Sequence, residues 1–142
     1  PLKAYTRVSS DPIEVHNNIQ NPDIVIIMDD TLLASTDVME GMPEDGILLF
    51  NTTMTAAEAR AAVGAPDSMR VAVVDASGIA LATIKKDMPN TPIVGALAKI
   101  TGLFPVEKVK ERLVITFGKK FSQEMIDANL ASVERAYQEV QE

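Results

Sequence analysis

The sequence predicts an α/β fold: a three-layer α/β/α domain around a mainly parallel or mixed sheet, with a C-terminal run of helices. Three observations point there. Largely apolar runs, "DIVIIM" at Asp23–Met28, "ILLFNT" at Ile47–Thr52 and "RVAVVD" at Arg70–Asp75, read as strands covered on both faces. Helical segments with recognisable ends alternate with them. After Asp87 only helical patterning remains.

Each element follows in order. Leu2–Ser9 mixes polar Lys3 and Arg7 with Tyr5, Thr6 and Val8 and reads as a first strand. The polar stretch "SSDPIEVHNNIQNP" is a long connection punctuated by Pro12, Asn21 and Pro22. After the Asp23–Met28 strand, Asp29 or Asp30 is placed to cap a short helix within Thr31–Ser35. "MPEDG" is a turn into the Ile47–Thr52 strand. Thr55 and Glu58 have the spacing of a capping box, which predicts a helix from there to Val63, ended by Gly64 and Pro66. After Arg70–Asp75, "SGIALATIKKD" reads as a helix with Lys85 and Lys86 in its last turn, where cations suit the dipole. In "MPNTPIVGALAKITG", Met88–Gly102, Thr91 is a capping residue, Pro92 the first helical position and Gly102 the stop. Gly95 in mid-run lets another backbone approach closely. Pro105 starts a helix with Val106, Val109, Leu113 and Phe117 on one face. Ser122 caps the last helix, with Ile126, Leu130, Val133, Tyr137 and Val140 as its apolar positions.

The chain has 142 residues, which fits one domain, spanning residues 1–142. There is no cysteine, which removes disulfides, thiolate iron–sulfur or zinc ligation and a cysteine nucleophile from this chain. That usage fits a reducing cytoplasm, the expected location. Net charge is −7 and no basic patch stands out, so no nucleic-acid partner is expected. The longest apolar run is far short of a membrane span. Pro1 stands where an initiator Met would, and the chain opens directly in a strand-like pattern. It is therefore expected either to have been cut upstream or to lack residues before Pro1.

Candidate chemistry is sparse. Asp29 and Asp30 end the most apolar strand, where open α/β sheets gather ligands, and two carboxylates there suit Mg²⁺ or acid–base work. "MDDTLLAS" resembles the Asp-x-Asp-Gly-Thr-Leu motif of haloacid-dehalogenase-type phosphatases. In that register, however, the nucleophile falls on Ile27 and the glycine on Asp30. A helix cap plus an exposed loop carboxylate is the simpler reading. His16, the only histidine, sits in a polar loop with no fixed partner evident. The glycines are scattered, and "DASGIAL" is the nearest approach to a phosphate loop. On these residues the chain reads as a noncatalytic domain, with no catalytic, cofactor-binding or metal residue to assign. A free-standing nucleotide or small-molecule-binding module, using the strand-end Asp29 and Asp75, is the alternative.

"PNTPIVGALAKITGL" resembles the "PNT-x-x-x-GALAK-x-TG" segment of the gamma subunit, or gamma domain, of 2-oxoacid:ferredoxin oxidoreductases of the pyruvate synthase type. "KAYTRVSSDPI", "NPDIVIIMDDTLL", "EDGILLFNT" with "VVDASGIAL", and "GKKFSQEMIDANLASVERAYQEV" are similar to that family's segments in the same order. The family opens with a strand, a Gly-x-Gly-Gly-x-Gly loop and a helix, which are absent here. In the family that loop is the part expected to meet coenzyme A, so no coenzyme A site falls on a residue present. The resemblance implies an assembly that cleaves a 2-oxoacid with thiamine diphosphate and Mg²⁺. Electrons would pass through [4Fe–4S] clusters to ferredoxin, and the products would be acyl-coenzyme A and CO₂. It implies alpha, beta and ferredoxin-like delta subunits as partners, with the cofactors on those chains and none bound by this one alone. "KAYTRVS" is more like the pyruvate or branched-chain members than the 2-oxoglutarate ones. Under this resemblance Asn90, Thr91 and Lys99 are expected to face neighbouring subunits.

Overall fold

The computed structural model describes residues 2–142. Three strands, β1 (Ile24–Ile27), β2 (Ile47–Asn51) and β3 (Arg70–Val74), form a parallel sheet in the order β1-β2-β3. Ile24 pairs with Ile47 and Ile47 with Arg70, so the strands start nearly level. Side chains alternate across this sheet, and both faces are apolar. Val25, Ile27, Leu48, Phe50, Val71 and Val73 point to one side. Ile26, Met28, Ile47, Leu49, Ala72 and Val74 point to the other.

Two helical layers cover those faces. The first is built by α1 (Ala56–Val63), with Leu33 of the 3-10 helix Asp30–Ala34 and Val38, Met39 and Met42 of the loop after it. The second is built by α2 (Ala76–Thr83), α3 (Pro92–Thr101) and α5 (Gln123–Glu139). The remaining helix, α4 (Val106–Phe117), lies outside the sheet's own cover and packs on α3 and α5 through Val106, Val109 and Leu113. The three-layer expectation holds, with every sheet pairing parallel. One antiparallel bridge, between Val73 and Gln141, lays the chain end along the outer edge of β3. Arg70 locks it there with two bonds to Glu142, 2.7 and 2.9 Å long.

The local signals act as read at most helix ends. Thr55 and Glu58 form the reciprocal capping box, and Gly64 closes α1 at φ 65°, a conformation that costs glycine nothing. Ser122 Oγ accepts from the Met125 amide at the start of α5. Two ends differ. Thr91 precedes α3 with helical backbone angles and makes no side-chain cap bond; the fully buried Pro92 at N1 has no amide to satisfy. Lys85 and Lys86 fall beyond the end of α2. Lys85 turns left-handed at φ 66° and reaches back to the Ala82 carbonyl with its ammonium.

The expected strand at Leu2–Ser9 is absent. That segment runs as irregular, exposed chain outside the sheet. Leu2 is 93% and Val8 78% exposed, so its alternating residues meet no apolar face, and alternation without a face does not hold a strand.

Candidate functional site

The carboxyl ends of the three strands converge on a knot of polar side chains. Asn51, the last residue of β2, is buried, and both ends of its amide are in use. Its Nδ2 donates to the Met28 carbonyl at the end of β1 (2.9 Å) and to Ser77 Oγ (3.0 Å). Its Oδ1 accepts from the Ser77 amide (3.1 Å), within the first turn of α2. One side chain therefore ties the ends of β1 and β2 to the start of α2, the helix that follows β3. A buried amide left half-paired would cost about 1–3 kcal/mol, which is why all of its partners lie in fixed backbone or in a short side chain.

Asp29 and Asp30 are drawn into the same end of the sheet. Asp29 Oδ1 accepts from the Thr31 amide (3.0 Å) and from Thr31 Oγ1 (2.7 Å), capping the 3-10 helix. The Thr31 hydroxyl and then its amide hold the Asp29 carboxyl below the ordinary carboxylate range. Asp30 Oδ2 accepts from Thr52 Oγ1 at 2.7 Å, joining the β1 turn to the residue after β2. Asp75 caps α2 by accepting from the Gly78 amide (2.8 Å). The three strand-end carboxylates thus serve as two helix caps and an inter-strand acceptor.

Asn51 and Thr52 were missed from sequence. The available signal was a polar pair closing the apolar run "ILLF" at the carboxyl end of a parallel strand, where side chains meet the next turn. His16 lies exposed in its loop.

No cysteine is available for a cluster. Among the described residues no group of three or more histidine or carboxylate side chains is arranged for a metal. The amides that begin α1, α2 and α5 are already capped by side chains, with Asp75 and Glu58 placing negative charge where a diphosphate would have to sit.

Asn90, Thr91 and Lys99 lie apart from this knot, at the entry and outer face of α3. Asn90 and Lys99 are exposed and Thr91 is half-buried. Lys99 Nζ sits 4.9 Å from the centre of the Tyr137 ring, bridging α3 to α5. The rest of the "GALAK" segment is core. A Cβ on Gly95 would stand 2.2 Å from the Val133 carbonyl oxygen, so the two helix backbones touch there, and Ala96 and Ala98 are buried beside it.

The sequence pattern of the pyruvate ferredoxin/flavodoxin oxidoreductase family matches residues 1–139. The chain is 44% identical over 140 residues to pyruvate synthase subunit PorC of Thermotoga maritima, an alignment spanning 99% of this chain and 71% of that protein. It is 36% identical over 141 residues to the pyruvate/ketoisovalerate oxidoreductases common subunit gamma of Pyrococcus abyssi, covering 99% of this chain and 74% of that one. In three dimensions it resembles the crystal structure of pyruvate oxidoreductase subunit PORC from Thermotoga maritima, with a TM-score of 0.78 over 87% of this chain and 66% of that chain. A doubly covered parallel sheet, a small-residue helix locked on the C-terminal helix and ordered similarity from end to end lead to one conclusion: the chain belongs to the pyruvate ferredoxin/flavodoxin oxidoreductase family.

Proposed function

We propose that the chain is a noncatalytic gamma subunit of a thiamine-diphosphate-dependent 2-oxoacid:ferredoxin oxidoreductase acting on pyruvate and forming acyl-coenzyme A and CO₂. The observation that carries this is the 44% identity to a pyruvate synthase subunit across 99% of the chain. In this reading thiamine diphosphate, Mg²⁺, [4Fe–4S] clusters and coenzyme A belong to the alpha, beta and ferredoxin-like delta subunits, and ferredoxin takes the electrons. The cytoplasm is the proposed location. No helix among the described residues is long and apolar enough to cross a membrane.

Asn90, Thr91 and Lys99 are proposed to meet neighbouring subunits. Among the described residues, neither the Asn90 amide nor the Thr91 hydroxyl has a hydrogen-bond partner within the chain, although α3 itself is well ordered by packing. The domain is further proposed to accept a first strand beside β1. Val25 and Ile26 of β1 pack on opposite faces of the sheet yet stay half-buried, and the outer edge of β1 pairs with no strand among the described residues. The coding sequence upstream of Pro1 tests this: a strand and glycine-rich loop there support it, and a start codon at that point ends it.

Copurification tests the function itself. Affinity capture of the chain from its native source should bring down a thiamine-dependent protein and a cluster-bearing one in fixed ratio, with pyruvate-dependent reduction of ferredoxin in the eluate. Capture of the chain without any thiamine-dependent partner would overturn the proposal.

A further inference from the structure

The apolar stripe of α4 outruns the surface that covers it. Val106, Val109 and Leu113 pack with Phe104, Ala98, Val133 and Tyr137, and the cluster stops at that turn. Phe117 continues the same stripe four residues on, and Val114 lies at its margin three residues before it. The Phe117 ring is half-buried and meets Phe121 edge-on, with centroids 5.0 Å apart, while Phe121 and Val114 remain about half exposed, at 48% and 45%. An amphipathic helix ordinarily buries its whole stripe, so the α4–α5 corner is an apolar surface lacking a cover.

Charge says what kind of cover suits it. From Val106 to Phe121 the chain carries five Lys or Arg against two Glu, within a protein of net charge −7. Lys110 is neutralised by Glu134 and Lys108 pairs with Glu111. Lys119 and Lys120, between the two phenylalanines, form no ion pair among the described residues, and Glu124 in the first turn of α5 is the nearest carboxylate along the chain. A cationic pair flanking an apolar edge on an otherwise acidic protein selects against like surfaces of its own kind and for a carboxylate-rimmed apolar one.

We propose that the corner formed by Val114, Phe117, Lys119, Lys120 and Phe121 is a docking surface for an acidic, apolar-centred face of another subunit of the assembly. The proposal rests on the reading of this chain as a gamma subunit. Lys119 and Lys120 steer and orient the encounter, while Phe121 and Val114 supply the area removed from water.

Coexpression with the thiamine-dependent and ferredoxin-like subunits of the same source, followed by affinity capture in about 150 mM salt, tests it. Wild type and Ile115→Ser, whose side chain is exposed on the opposite side of α4, should recover the partners equally. The double variant Lys119→Glu/Lys120→Glu and the single variant Phe121→Ser should each reduce recovery about tenfold or more, and wild-type recovery should fall as salt rises. Should Phe121→Ser not fold, the charge reversal, made at exposed side chains, carries the test alone. Undiminished recovery in the charge-reversed variant, with wild type still binding, overturns the docking surface and leaves the gamma-subunit reading intact. If wild type recovers no thiamine-dependent partner, that reading falls and the docking proposal with it. A dimer of the isolated chain in light scattering that the charge reversal abolishes would make the occupant a second copy and overturn the acidic-partner assignment.

Discussion

Helices α3 and α4 are neighbours in sequence and contact each other, yet they satisfy their apolar residues in opposite ways. In α3, Pro92, Ile93, Gly95, Ala96, Ala98 and Ile100 are buried; in α4, which is longer, only Val106 is. α3 uses small residues on the side that meets α5, so two backbones come into contact and little of the helix is left outside. α4 carries larger residues, is held by its first two turns, and presents the rest. Composition accounts for part of the difference, since α4 carries five charged residues and α3 only Lys99; the close approach of α5 to α3 at Gly95 accounts for the rest.

Four substitutions would break or sharpen that contrast. The largest effect is expected at the α3–α5 contact. Gly95→Ala gains about 1 kcal/mol of helix propensity but places a methyl group 2.2 Å from the Val133 carbonyl oxygen. The helices must separate, with a net loss of about 2–4 kcal/mol in urea denaturation. A stability equal to or above wild type would mean that the contact yields freely. Next, Val106→Ala at the anchored end of α4 should cost about 1–2 kcal/mol by the same measurement, from two lost methyl groups at a site 5% exposed.

Smaller is the tether between α4 and α5. Lys110 donates to Glu134 and, with Gln138, holds the Glu134 carboxyl below its ordinary value of 4.5. A depressed carboxylate stabilises the fold above its unfolded value and loses that contribution as pH falls through the folded one. Because the pair is partly exposed, Glu134→Gln should cost only about 0.5 kcal/mol at neutral pH. It should also flatten the decline of melting temperature below about pH 4.5 relative to wild type. The smallest effect is expected from Ile115→Ser, within about 0.5 kcal/mol of wild type, since that side chain is 55% exposed. A loss as large as that of Val106→Ala would show that the outer face of α4 is covered within the chain.

Much of the fold was legible from short windows of sequence. The Thr55–Glu58 box, the Ser122 cap, the Gly64 and Gly102 stops and the three apolar strands all depend on interactions spanning a few residues, and all formed where their residue types placed them. The readings that changed involve partners far along the chain. Leu2–Ser9 has strand-like alternation and no face to pack on. The apolar spacing of α5 pointed to Leu130, whereas the close approach at Gly95 turns Asn129, Ser132 and Ala136 inward. Those two polar residues are tolerated because Asn129 bonds the Met125 carbonyl and Ser132 the Asn129 carbonyl, within their own helix.

The strand-end knot was the least legible part. Asp29 and Asp30 were visible as candidates because carboxylates at a strand end are conspicuous. Asn51, which holds Met28 and Ser77 from positions 23 and 26 residues away, was not. By itself the sequence determined the class of the domain, the number and type of its regular elements after Pro22, most of their ends and the family resemblance. These rest on local hydrogen bonding, side-chain periodicity and ordered motifs, which survive in a linear string. Only the tertiary structure decided which carboxylates became caps, which glycine became a helix contact and which apolar stripe was left open, because each depends on the distance between segments that the string does not contain.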